Sequence, residues 1–134
     1  MIQQSAGAAL FNFELKLLLI KRAATKLSFP NTWACPSGRQ ETEEETLEAT
    51  AIREVKEEVG LDFIPEKKLG TYQTQLSDRI TFGTIYLGTW TGEITLQKEE
   101  CSEYGWFTYE EAIQLEFGFQ YRQVVEDLHQ QGYF

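Results

Sequence analysis

Leu47, Ala51, Val55 and Val59 recur every fourth residue with Ile52 beside them, one apolar stripe of an amphipathic helix. Gly60 follows the last of them, where a left-handed C-terminal cap belongs. Ahead of this helix the period shortens. Residues 6–11 and 15–20 are apolar runs parted by Asn12-Phe13-Glu14, which predicts strand, tight turn, strand. Lys21 and Arg22 close the second strand, and residues 23–31, with Pro30, predict a loop. After the helix, residues 62–66 with Pro65 read as a connection. Residues 69–76 and 80–90 read as strands turning at Ser77-Asp78-Arg79. Thr91-Gly92-Glu93 suggests a further hairpin into residues 94–96, and Gly83 and Gly88 hint at bulges or close backbone approach. Thr108 and Glu111 fit a capping box. Residues 119–131 predict a last helix whose Val124, Val125 and Leu128 face the core. Strands on both sides of one central helix, with a helix at the end, predict a single α+β domain over residues 1–134.

Composition narrows the function classes. The chain has 134 residues, 42% of them hydrophobic, and a formal charge of −9. That is enough to bury a core. The charge opposes binding to a nucleic-acid polymer, which needs a basic footprint. No apolar run approaches a membrane span. The first residues lack the basic start of a signal peptide. Cys35 and Cys101 are too few for a secreted disulfide scaffold and lack zinc spacing, so free thiols in a reducing cytoplasm are the expectation. His129 is the only histidine, which removes a His-based metal site.

The charges of the central helix carry the chemistry. Glu54, Glu57 and Glu58 stand at i, i+3 and i+4 and share one face. Like charges at that spacing cost about 0.2–0.5 kcal/mol per pair. Either the face is simply solvated, or a hard cation such as Mg²⁺ offsets the repulsion and keeps waters that substrate phosphates can replace.

The string Arg53-Glu54-Val55-Lys56-Glu57-Glu58-Val59-Gly60-Leu61 resembles the second half of the Nudix box, the signature of hydrolases acting on a nucleoside diphosphate linked to another group. The first half departs from that pattern. Seven residues separate Glu45 from Arg53, as in the family, but six rather than five separate it from Gly38. Taking Glu44 instead would insert a residue into the helix and turn all before it by about 100°; a longer loop is easier to absorb. Ser37 replaces the first of the usual two glycines, and no glycine occurs near residue 43. Phe29, Pro30 and Trp33 resemble the family's lead-in, with core packing or a base-pocket wall open for the aromatics. The run from Glu103 to Trp106-Phe107 resembles its late strand.

The resemblance implies a Nudix-type α/β/α sandwich, a mixed sheet between helices, and metal-assisted hydrolysis of a pyrophosphate bond. It implies Mg²⁺, with Mn²⁺ as substitute, held by Glu54, Glu57, Glu58, Glu100 and the backbone at Gly38. It gives Glu54, Glu57 or Glu103 as candidate catalytic groups. Arg53 orients Glu45 or Glu54, and Lys21, Arg22, Phe29 and Arg39 are candidate substrate contacts. The implied substrate is a small nucleotide, with a nucleoside triphosphate cleaved to monophosphate and pyrophosphate preferred, and the state a monomer or homodimer. A catalytically silent Nudix-fold module that senses a nucleotide is the alternative. A third, an acidic helix binding Ca²⁺ or a basic protein, lacks the Asp-rich loop of an EF-hand.

Overall fold

The computed structural model describes residues 1–134. The stripe helix forms as α1, Leu47–Val59. Thr46 caps its start by accepting from the Ala49 amide, and Gly60, at φ 76°, ends it by donating to the Lys56 carbonyl. Ala51, Val55 and Val59 are fully buried. Ile52, by contrast, is 41% exposed and lies off the stripe.

Two sheets carry the rest. The larger has β4 (Ser37–Arg39), β1 (Ile2–Ala9), β6 (Ile80–Thr91) and β5 (Asp62–Gln75), in that order. It is mixed: β1 runs parallel to β6, and the other pairs are antiparallel. The smaller is antiparallel, with β3 (Trp33–Ala34), β2 (Leu17–Arg22) and β7 (Cys101–Phe107) in the order β3-β2-β7. α1 packs on the mixed sheet. α2 (Tyr109–Ala112) opens with the expected capping box, and α3 (Tyr121–Gln130) buries Val124, Val125 and Leu128. Tyr72 of β5 ties α3 to the mixed sheet, donating to Asp127 Oδ2 at 2.6 Å. One core cluster of 24 buried residues joins the layers. The architecture is α+β, a mixed sheet with helices against it. No helix is long and apolar enough to cross a membrane.

Three expectations change in the fold. The runs at residues 6–11 and 15–20 do not make a hairpin within one sheet: β1 and β2 join different sheets and touch only near Phe11 and Leu17. Leu17, Leu18, Leu19 and Ile20 are all buried, so β2 is covered on both faces. Residues 62–66 are not a connection but the start of β5. Pro65 is accommodated because β5 is an edge strand whose register shifts on both sides of Lys67–Lys68. Opposite Pro65, a Cβ on Gly88 would lie 2.0 Å from the Ile64 carbonyl oxygen, the close approach that glycine permits. Finally, residues 94–96 are not a strand. The Thr95 and Gln97 amides instead donate to the Val59 and Glu58 carbonyls, at 2.8 and 3.0 Å. They satisfy acceptors that the end of α1 leaves unpaired.

Candidate active site

α1 presents its acidic face to a cleft of about 1300 Å³. One wall is the loop from Ser37 to Glu41 with Arg53, Glu54, Glu57 and Glu58; another is Arg22, Lys26 and Glu100. The register explains the floor. Gln3, Thr81 and Thr74 form one row across three strands, and Ser5, Gly83 and Tyr72 the next. Residues two apart on a strand share a face, so all of them line the same side.

Glu58 is 7% exposed, and its Oε1 accepts from the Ser37 amide at 2.8 Å. Burial pushes its carboxyl up to about 8, and the charges of Glu54 and Glu100 add to this against the Ser37 hydrogen bond. Burial also raises Glu54, while Arg53 opposes the shift. Gly38 lies against the Glu54 carboxylate: a Cβ there would sit 2.1 Å from Glu54 Cδ. Ser37 Oγ and the buried Tyr121 hydroxyl share a short hydrogen bond behind this loop.

Arg53 organises the acids around it. Its Nε and Nη2 reach the two oxygens of Glu45 at 2.9 and 3.1 Å, Nη1 reaches Glu54 at 2.7 Å and Glu57 at 3.3 Å, and Nη2 donates to the Arg39 carbonyl at 2.8 Å. Glu44 has no part in this network. With Arg53 holding Glu54 and Glu57, no three acidic, His or Cys side chains close around one point. The donor set still fits a hard divalent ion. Glu54 and Glu58 are one turn apart, Glu100 bears electrostatically on both, and the buried Glu58 lacks a cation of its own beyond the influence of Arg22.

A family model described as the NUDIX domain matches residues 1–128. The chain belongs to the NUDIX domain family. It is 39% identical over 72 residues to the zebrafish (Danio rerio) m7GpppN-mRNA hydrolase NUDT17, covering 51% of this chain and 24% of that protein. It is 34% identical over 70 residues to the 8-oxo-dGTP diphosphatase of Proteus vulgaris, covering 52% of this chain and 62% of that one. The match thus spans less than two thirds of either relative. The crystal structure of the MutT protein from Methanosarcina mazei Go1 superposes with a TM-score of 0.87 at 23% identity, over 97% of this chain and 94% of that one.

Within this NUDIX domain the sequence candidates separate. Gly38, Arg39, Glu54, Glu57, Glu58, Glu100, Arg53 and Arg22 line the cleft. Lys21, Glu103 and Phe29 do not. Lys21 and Glu103 face each other across the β2–β7 ladder, with Nζ 3.8 Å from the carboxylate. Phe29, at φ 51°, packs against Phe119 at 4.6 Å between ring centroids, and Phe119 is the ring that reaches the cleft. Arg22 stacks over Phe119 at 5.0 Å and donates twice to the Ser28 carbonyl. Burial lowers its pKa, with Tyr121, Glu58 and Glu100 opposing.

Lys26 had no sequence signal. It lies in the loop just ahead of Phe29 and Pro30, and only folding brings its Nζ to 2.5 Å from Glu100 Oε2. Gln3 and Arg79 were also unmarked; they meet because β1 pairs in parallel with β6, 78 positions away in sequence.

Proposed function

We propose that residues 1–134 work as a single NUDIX hydrolase domain, a metal-dependent pyrophosphohydrolase. Its preferred substrate class is a nucleoside triphosphate, cleaved with one water to nucleoside monophosphate and pyrophosphate. The observation that carries this is the buried Glu58 beside Glu54 on the wall of an arginine- and lysine-rimmed cleft. A carboxyl held in that position favours a cation, and the rim favours phosphate.

Glu54, Glu57 and Glu58, with Glu100 across the cleft and the backbone at Gly38, would hold Mg²⁺; Mn²⁺ suits the same oxygens. Such an ion, when bound, neutralises phosphate charge and lowers the pKa of its water. The remaining roles belong to the chain. Arg22 spends Nε and Nη2 on Ser28 and keeps Nη1 for a phosphate oxygen; Arg39 and Lys26 flank the same space. Glu57, half exposed and 3.3 Å from Arg53 Nη1, and Glu54, held by the same guanidinium at 2.7 Å, are the groups that would hold the metal or take the proton. The relative named 8-oxo-dGTP diphosphatase supports the triphosphate class. Cys35 and Cys101, both buried and free, suit a reducing cytoplasm, and a monomer or homodimer suffices for a cleft built within one chain.

A second reading, a nucleotide-binding module without turnover, draws on Arg53 already occupying oxygens of Glu54 and Glu57. A coupled phosphate-release screen with Mg²⁺ or Mn²⁺ separates the two. It should span triphosphates, nucleotide sugars and dinucleoside polyphosphates. Metal-dependent turnover abolished by EDTA is the expected result. Nucleotide binding with no turnover across the panel establishes the second reading instead.

A further inference from the structure

The carboxylates occupy one end of the cleft, and the other end has a chemistry of its own. Arg79, in the turn between β5 and β6, lies against Gln3 of β1. Its Nε donates to Gln3 Oε1 at 2.8 Å and its Nη1 to Asp78 Oδ1 at 2.7 Å. These bonds hold the guanidinium, 22% exposed, in one orientation on the cleft wall. They also set the Gln3 amide, with its oxygen toward Arg79. Two adjacent donor groups are left without a protein acceptor, Nη2 of Arg79 and Nε2 of Gln3.

The floor beside them carries no side chain at Gly83. A Cβ on Gly83 would meet only Ser5 Oγ at 3.3 Å and the Tyr72 carbonyl oxygen at 3.9 Å, so a planar group can lie over it. Ala6 pairs with Gly38, and Gln3 is three residues back along the same strand. The donors are therefore about 10 Å from the carboxylate end. A nucleoside covers that span between its phosphates and the far edge of its base.

We infer that this end of the cleft reads a 6-oxopurine. The base lies on the Gly83 floor, and Arg79 Nη2 and Gln3 Nε2 donate to O6 and N7. Guanine and hypoxanthine offer two acceptors on that edge, whereas adenine offers a donor at N6. The N7–H of 8-oxoguanine also sets donor against donor. The inference rests on the nucleotide pyrophosphohydrolase reading for the phosphates but concerns the base alone.

The test measures kcat/KM with Mg²⁺ for GTP, ITP and ATP, and for dGTP against 8-oxo-dGTP, alongside calorimetric binding of GMP and AMP. GTP and ITP should exceed ATP by about 10–100-fold, and dGTP should exceed 8-oxo-dGTP. Arg79→Ala should bring the GTP/ATP ratio near one. Gln3→Glu keeps the contact to Arg79 and replaces a donor with an acceptor, and should lower the same ratio. Should no triphosphate be hydrolysed, tighter binding of GMP than AMP, lost in both variants, still establishes the base assignment while the hydrolase reading fails. Equal handling of GTP and ATP in turnover and binding, or a ratio unchanged in both variants, overturns the assignment.

Discussion

Arg53 grips Glu45 through two parallel hydrogen bonds, Nε to Oε2 at 2.9 Å and Nη2 to Oε1 at 3.1 Å. The same guanidinium reaches Glu54 at 2.7 Å, so one side chain joins the approach loop of α1 to a cleft carboxylate. Arg53, then Thr50 and the Glu41 amide, hold the Glu45 carboxyl down at about 2.

Breaking this fork should cost turnover more than fold. Arg53→Lys cannot make both bonds to Glu45, and kcat should fall about 10–100-fold, the usual loss when a group that orients metal ligands is changed. Unchanged steady-state kinetics would show that Arg53 orients nothing that matters to the reaction.

Glu45 also sets a pH dependence of stability. Its folded pKa lies below the ordinary carboxylate value, so its contribution is present above pH about 4.5 and lost as pH falls toward about 2. Urea midpoints measured from pH 6 down to pH 3 should fall less steeply for Glu45→Gln than for the natural chain. Parallel slopes would contradict the pairing.

Glu58 has the opposite sign. Its folded pKa, pushed up to about 8 by burial, exceeds the unfolded value, so without metal the fold loses stability as pH rises from about 4.5 through 8. In EDTA at pH 8, Glu58→Gln should melt at a higher temperature than the natural chain. It should also lose turnover and the thermal shift that Mg²⁺ produces. A lower melting point in EDTA at that pH would refute the account of the buried carboxyl.

Gly38→Ala separates site from scaffold. The new methyl would strike the Glu54 carboxylate, the end of a side chain that can swing aside. The melting temperature should stay near that of the natural chain while kcat drops at least about tenfold. A fully active variant would remove Glu54 from the reaction.

Glu100 and Glu103 now divide. Glu100 lines the cleft and bonds Lys26, whereas Glu103 is exposed and faces Lys21 outside it. Glu103→Ala should leave kcat/KM within about twofold, as an exposed pair contributes little, and Glu100→Gln should lower it tenfold or more. The reverse order would place the proton acceptor on β7.

Local physics and local pattern made much of this legible. The four-residue recurrence of Leu47, Ala51, Val55 and Val59, the Gly60 cap and the Thr108–Glu111 box are set within a few residues, and all appear in the fold. The register of Arg53 and the three glutamates follows from helix geometry, which also favoured Glu45 over Glu44. What local pattern misjudged was partnership. Residues 6–11 and 15–20 read as a hairpin because they adjoin in sequence, yet β1 gains its long parallel pairing with β6. Residues 94–96 carry a strand composition, and the open carbonyls of α1 claim their amides instead.

By itself the sequence determined the acidic helix, its caps, the family resemblance and the row of carboxylates on one face, because each depends on spacing along a few turns of chain. Only the tertiary structure decided which side chains share the cleft. It set Lys26 on Glu100 and Arg79 on Gln3, and it turned Lys21, Glu103 and Phe29 away. Those outcomes depend on sheet order and strand register, and a parallel pairing between residues 78 positions apart leaves no periodic trace in either segment.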